Sequence, residues 1–208
     1  MKNLCLTLFA LLVMTSINAQ GVKAGVKAGM NIPTITGDNT DNLSSFVTYH
    51  VGAFANIEVS DTFSIQPECM FSCQGAEYTE SEGYDGEFVL GYLNVPVMAS
   101  LEVAEGFSVQ AGPQIGILLS AEDKYENEFE SGEEDAKEFF KDIDFGVNFG
   151  ASYEFANGIG VGARYNLGIS NILEDDGGEY GEARNSVFQF SVFYNILNPV
   201  RQKSNDND

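Results

Sequence analysis

Between Ile143 and Phe155 the chain alternates without a break. Ile143, Phe145, Val147, Phe149, Ala151, Tyr153 and Phe155 are apolar or aromatic, and every residue between them is small or polar. A period of two over about thirteen residues predicts a single β-strand with one apolar face, long enough when tilted to cross the hydrocarbon core of a bilayer. The opposite face is Asp144, Gly146, Asn148, Gly150, Ser152 and Glu154, unlike the Lys-, Glu- and Thr-rich face that a sheet turns to water. Small polar side chains suit the inside of a narrow barrel, which places the apolar face outside, in lipid.

The pattern recurs over Val22 to Asn31, Val47 to Val59, Phe63 to Ser72, Val89 to Glu102, Phe107 to Leu119, Ile159 to Ile169 and Phe188 to Ile196, which brings the predicted strands to eight. Connections alternate as regularly as the strands. Those near Ser60, Ala104 and Asn157 are about three or four residues long, whereas 32–46, 76–88, 120–142 and 173–185 run from roughly 12 to 23. An even count with short turns on one side and long loops on the other predicts an all-β, eight-stranded antiparallel transmembrane barrel. Its short turns face the periplasm and its long acidic loops the outside. Phe63, Phe107, Tyr153, Phe155 and Tyr194 then form an aromatic girdle at the periplasmic rim.

The N-terminus fits export to that destination. Lys2, an apolar run from Leu4 to Val13 and the small residues Ser16 to Ala19 predict a signal peptide over 1–19, followed by a barrel over 20–197 and a polar tail over 198–208. Cys5 lies inside the apolar run, not at a cleavage site, so a lipoprotein is not expected. Cys69 and Cys73 stand four apart on one strand face, roughly 13 Å, beyond disulfide reach. The five prolines are assigned to loops, strand ends or positions that tolerate a missing N–H.

A formal charge of −21 argues against a nucleic-acid partner. Much of it sits in the predicted loops: Glu122 to Asp142 carries ten acidic residues against Lys124, Lys137 and Lys141. Glu133, Glu134 and Asp135, with Asp175 and Asp176 in the last loop, are the candidate carboxylates for weak Ca²⁺ or Mg²⁺ binding, although no complete calcium-loop pattern surrounds them. A solvated anionic surface is the plainer reading of the same residues, and no other cofactor is expected.

Three charges face inward at similar depth: Lys27, Glu68 and Arg164. An eight-stranded lumen is just wide enough for side chains to fill, so Glu68 should meet Arg164 or Lys27 in an ion network that plugs the barrel. His50, the single histidine, faces inward as a hydrogen-bonding group, and no nucleophile-elbow or metal-ligand spacing surrounds it, so an enzyme is not expected.

Several segments resemble the PorT-like outer-membrane β-barrel proteins of Bacteroidetes-type bacteria: Gly25 to Asn31 (GVKAGMN), Phe63 to Glu68 (FSIQPE), Tyr92 to Val97 (YLNVPV), Val109 to Gly116 (VQAGPQIG) and Gly160 to Ser170 (GVGARYNLGIS). The resemblance implies a monomeric barrel in the cell outer membrane, in contact with its lipid and with a secretion-system or cell-surface protein partner. The leading expectation is a structural or binding role through the acidic loops. An accessory part in protein secretion, a small solute pore and a soluble periplasmic ligand-binding barrel stay open as alternatives.

Overall fold

The computed structural model describes residues 22–38, 40, 42–80, 84–126, 131–174 and 181–197. Its strands are β1 (Val22–Gly37), β2 (Leu43–Ser44), β3 (Thr48–Glu58), β4 (Phe63–Glu80), β5 (Tyr84–Ala104), β6 (Phe107–Glu126), β7 (Ser131–Asp135), β8 (Ile143–Glu154), β9 (Ile159–Gly168) and β10 (Ala183–Leu197). Eight of these close into an antiparallel ring in the order β1, β3, β4, β5, β6, β8, β9, β10, and β10 returns to β1 with Phe190 opposite Met30. Ring closure matters because every strand then has two partners, which is the condition for placing a sheet in hydrocarbon.

Alternation sets the two surfaces. Val26, Met30, Tyr49, Val51, Ile115, Phe149, Val161 and Phe190 all point outward and are exposed, while Asn31, Glu68, Asn94, Asn148 and Asn166 point inward and are buried. From Phe107 to Leu119 the outward face of β6 carries no charge, and its length, roughly 40 Å along a strand tilted by about 45°, projects to close to the 25–30 Å of a bilayer core. A polar interior under an apolar exterior is the reverse of a soluble ligand-binding barrel. At the short-turn rim Phe107 pairs with Tyr153, whose ring meets Phe155 edge-on at 5.0 Å. Gly106 and Gly158 give two of these turns the positive φ that tight reversals need.

The strands run further than their alternation. β4 and β5 continue to Glu80 and from Tyr84, pairing as far as Glu80 with Tyr84, so most of the expected 76–88 loop is hairpin. Likewise β6 extends to Glu126 and β7 lies beside it, with Lys124 opposite Glu133. Alternation reports a lipid face and a lumen face, and above the membrane neither exists, so the paired segments read as polar loop. β2 joins β4 at Leu43–Tyr78, beyond the point where β3 ends.

The prolines also depart from expectation. Pro67, Pro96 and Pro113 lie inside ring strands with a neighbouring strand on either side, whereas Pro33 lies past Asn31–Thr48, where β3 no longer pairs with β1. The ladder yields instead: β3–β4 pairing skips from Phe54–Glu68 to Ile57–Ile65 beside Pro67, and β5–β6 pairing skips from Pro96–Gln114 to Ala99–Ala111.

The two faces of β8 should respond differently to charge. Phe149→Lys or Val147→Lys on the lipid side is expected to cost about 2 to 4 kcal/mol and to suppress folding, whereas Ser152→Lys, inward and near the short-turn rim, should fold normally. Heat-modifiability on gels after refolding into detergent or vesicles reads the difference, and equal tolerance at the three positions would invert the assignment of inside and outside.

Candidate functional site in the barrel lumen

Four inward residues of β1 mark the levels of the lumen: Lys23, Lys27, Asn31 and Ile35, about 13 Å apart in turn along the strand. Lys23 stands at the short-turn rim, where its ammonium is 3.3 Å from Glu154 and 4.0 Å from Glu58. Lys27 belongs to a buried ion cluster. Its Nζ donates to Glu68 Oε1 at 2.7 Å, while Arg164 donates from Nη1 to Oε2 at 2.9 Å and from Nη2 to Oε1 at 2.8 Å. Gln66 Nε2 adds a fourth bond to Glu68 Oε1 at 2.7 Å, and Lys27 also lies over the Phe54 ring, 5.5 Å from its centroid. The structure therefore brings Lys27, Glu68 and Arg164 together, with both cations on one carboxylate. The bidentate guanidinium fixes the orientation of Glu68 as well as its charge.

The next level is built on imidazole and amides. His50 Nδ1 is 2.7 Å from Asn31 Oδ1, and its Nε2 is 2.9 Å from Ser191 Oγ. Asn31 Nδ2 reaches the backbone oxygens of Tyr49 and Cys73 at 2.9 and 2.8 Å. Room for the ring comes from Gly29, where a Cβ would stand 2.8 Å from His50 Cε1. On the far wall Asn148 Nδ2 donates to Gln114 at 3.2 Å and Asn166 Nδ2 to Asn148 Oδ1 at 3.2 Å. Between this level and the ion cluster lies a void of about 10 Å³, the size of one water.

At the long-loop end the lumen turns apolar. Asp144, held by Ser170 Oγ at 2.7 Å and Asn185 Nδ2 at 2.9 Å, is the last carboxylate. Above it Ile35, Leu90, Tyr92 and Leu118 from the ring pack with Phe140 and Ile172 from the connecting segments. These segments are tied down by backbone bonds: Ile172 N–H donates to Ala183 at 2.8 Å, and Phe140 bridges Leu173. Parts of the acidic connections thus contribute apolar side chains to a cap, which their overall polarity hides.

The short-turn end is open. A cavity of about 560 Å³ rises from the rim to the ion cluster. Small inward residues make it, among them Ser108, Ser152 and Gly162, where the upper lumen carries large ones. Ser191 and Arg164 line its inner end.

The acidic candidates are placed differently. Glu133, Glu134 and Asp135 are exposed and successive on β7, so they alternate between its two faces, and Asp135 Oδ1 accepts the Lys137 N–H at 2.9 Å. Asp175 and Asp176 lie outside the described residues. Among the described residues no three Asp, Glu, His or Cys side chains gather as metal ligands. Cys69 and Cys73 are not joined in a disulfide.

A family model described as outer membrane protein beta-barrel domain matches residues 18–174. The chain belongs to this family. Among solved structures, this outer-membrane barrel is similar to Ail, the attachment invasion locus protein of Yersinia pestis, at 13% identity and a TM-score of 0.52, covering 84% of this chain and 98% of Ail. It is similar also to Neisserial surface protein A, at 11% identity and a TM-score of 0.50, covering 85% of this chain and 99% of that one. At such identities the likeness is one of fold. Among curated proteins none matches the chain in sequence. The fold and the family together place the barrel in the outer membrane, in contact with its lipid.

The ion cluster sets a ranking for substitutions in the outer-membrane barrel. A simple Glu68–Arg164 pair would make loss of Arg164 worse than loss of both partners. With Lys27 also on Glu68, Arg164→Met leaves a neutral Lys27–Glu68 pair, whereas Glu68→Gln leaves two buried cations facing each other. Glu68→Gln is expected to destabilise by about 3 to 5 kcal/mol and Arg164→Met by clearly less. Urea unfolding in vesicles checks the order, and a larger loss for Arg164→Met would show that the cluster is not a shared one.

Proposed function

We propose that this barrel is a closed component of the outer membrane whose role is structural or binding, exercised through its acidic long-loop end and not through passage of solute. The observation that supports this reading is the double closure of the lumen, by the Lys27–Glu68–Arg164 cluster at mid-depth and by the apolar cap above it. Exposed carboxylates around β7, with Glu138 and Asp142 nearby, leave the outer end strongly anionic. A basic protein surface is the partner that this charge favours, and a PorT-like affiliation, resting on the segments quoted above, would make that partner a secretion or cell-surface component. Bridging of Glu133, Glu134 and Asp135 by Ca²⁺ or Mg²⁺ is the alternative use of the same charge.

Two measurements test it. In planar bilayers the folded protein is expected to show no steady conductance, and stable open channels would overturn the closed reading in favour of a pore. For the loops, millimolar Ca²⁺ that protects the 122–142 segment from added protease, where monovalent salt of equal ionic strength does not, would assign the carboxylates to cation binding; equal protection would leave them as a solvated anionic surface.

A further inference from the structure

We infer that Ser191, His50 and Asn31 form a nucleophile–base–orienter constellation, opening on the short-turn cavity and competent to hydrolyse small carboxylic esters that enter from the periplasmic side. This goes beyond the closed-barrel reading, and it revises the expectation of a lumen without chemistry. Three strands supply the residues: Asn31 on β1, His50 on β3 and, remote from both in sequence, Ser191 on β10.

The hydrogen bonds fix the state of the imidazole. Asn31 Nδ2 lies within 2.9 Å of two backbone carbonyl oxygens, those of Tyr49 and Cys73, which can only accept. The amide is thereby oriented, and its Oδ1 is the atom that faces His50 Nδ1 at 2.7 Å, with Gln189 Nε2 donating to the same oxygen at 3.0 Å. An acceptor opposite Nδ1 requires the proton on Nδ1. Nε2 therefore presents its lone pair to Ser191 Oγ at 2.9 Å, the tautomer that a general base needs.

Access and charge agree with that role. Ser191 stands between two glycines, Gly29 on β1 and Gly162 on β9; the His50 ring takes the space over Gly29, and the Gly162 side opens on the cavity. Its side of the lumen lines the cavity of about 560 Å³, whose inner end also holds Lys27 and Arg164. The ion cluster carries two positive charges against one negative, and the surplus is suited to an oxyanion forming nearby.

The reaction closes on water alone. Ser191 Oγ attacks the ester carbonyl carbon while its proton passes to His50 Nε2, and the carbonyl oxygen takes the negative charge. The C–O bond to the alcohol then breaks, with the proton returning from His50 to the departing alkoxide. Water, deprotonated by His50 in turn, cleaves the acyl-Ser191 ester to release the acid and restore the hydroxyl. Asn31 acts through the ring as a positioning residue.

The test uses the full barrel refolded in detergent, with a small fluorophosphonate as covalent label and p-nitrophenyl acetate as substrate. Mass spectrometry is expected to find the label on Ser191 of the folded protein and not on heat-unfolded protein. Ser191→Ala should abolish both labelling and turnover, and His50→Gln should slow both by about a hundredfold or more. Asn31→Ala is expected to lower kcat with KM unchanged. A Cβ at Gly162 would meet nothing closer than 3.5 Å, so Gly162→Leu should fold, retain its heat-modifiability and exclude the label by filling the cavity. Failure to label Ser191 in the folded barrel, or labelling equally fast in His50→Gln, would overturn the proposal and return His50 to a purely structural bond. Conductance plays no part in these readouts, so the closed-barrel reading and this one stand or fall separately.

Discussion

A ring of eight strands encloses a space only as wide as the side chains that fill it, and whatever is placed there must find its partners there. Lipid outside offers none. From that constraint follow the four-bond environment of Glu68, the locked amide of Asn31, the ladder of Gln114, Asn148 and Asn166, and the glycines that leave room for rings. Gly160 lies under Phe193, where a Cβ would be 2.1 Å from the ring, and Phe193 in turn meets Phe54 edge-on at 5.8 Å. Size is traded between neighbouring strands residue by residue, with Gly160 opposite Phe193 and Gly29 opposite His50, so composition at one position is dictated by its cross-strand partner.

That trade makes the lumen unequal from end to end. Glycine and serine predominate in its lower half on β8 and β9, leaving open space, while Tyr92, Leu90 and Phe140 occupy the upper part. The charges follow the same gradient: ion pairs at the rim and at mid-depth, amides above them, hydrocarbon at the top. Solvent reaches the ion cluster from one side only. The arrangement is that of a stoppered vessel, with its stopper on the side where the long connections cross.

Much of this could be read from the residues. Alternation gave the ring strands and their inward and outward faces, because a lipid-facing Phe149 and a buried Asn148 cannot exchange roles, and counting from the short turns put Lys27, Glu68 and Arg164 at one depth. Register was harder to foresee. Ser191 meets His50 only because β1 lies between β3 and β10, which brings together residues 141 apart in sequence. The cap was hidden for another reason: Ala136, Phe140 and Ile172 sit singly or beside one other apolar residue in polar connections, and nothing periodic marks them. Inward-facing Ser and Gly likewise carry no sign of whether the space before them is filled from a neighbouring strand or left open.

Above the bilayer the ring no longer closes, because β3 and β8 stop while β4, β5 and β6 continue outward. Such a projecting ribbon has two raw edges of unpaired N–H and C=O groups, and on a crowded bacterial surface those edges are where neighbouring molecules would zip together. The chain covers both with its own short segments. β2 lies along β4 at Tyr78 and Glu77, and β7 lies along β6 from Glu122 to Glu126. The acidic connections, whatever they bind, thus also act as guard rails: they let the hairpin stand out from the membrane while denying other copies a strand on which to grow.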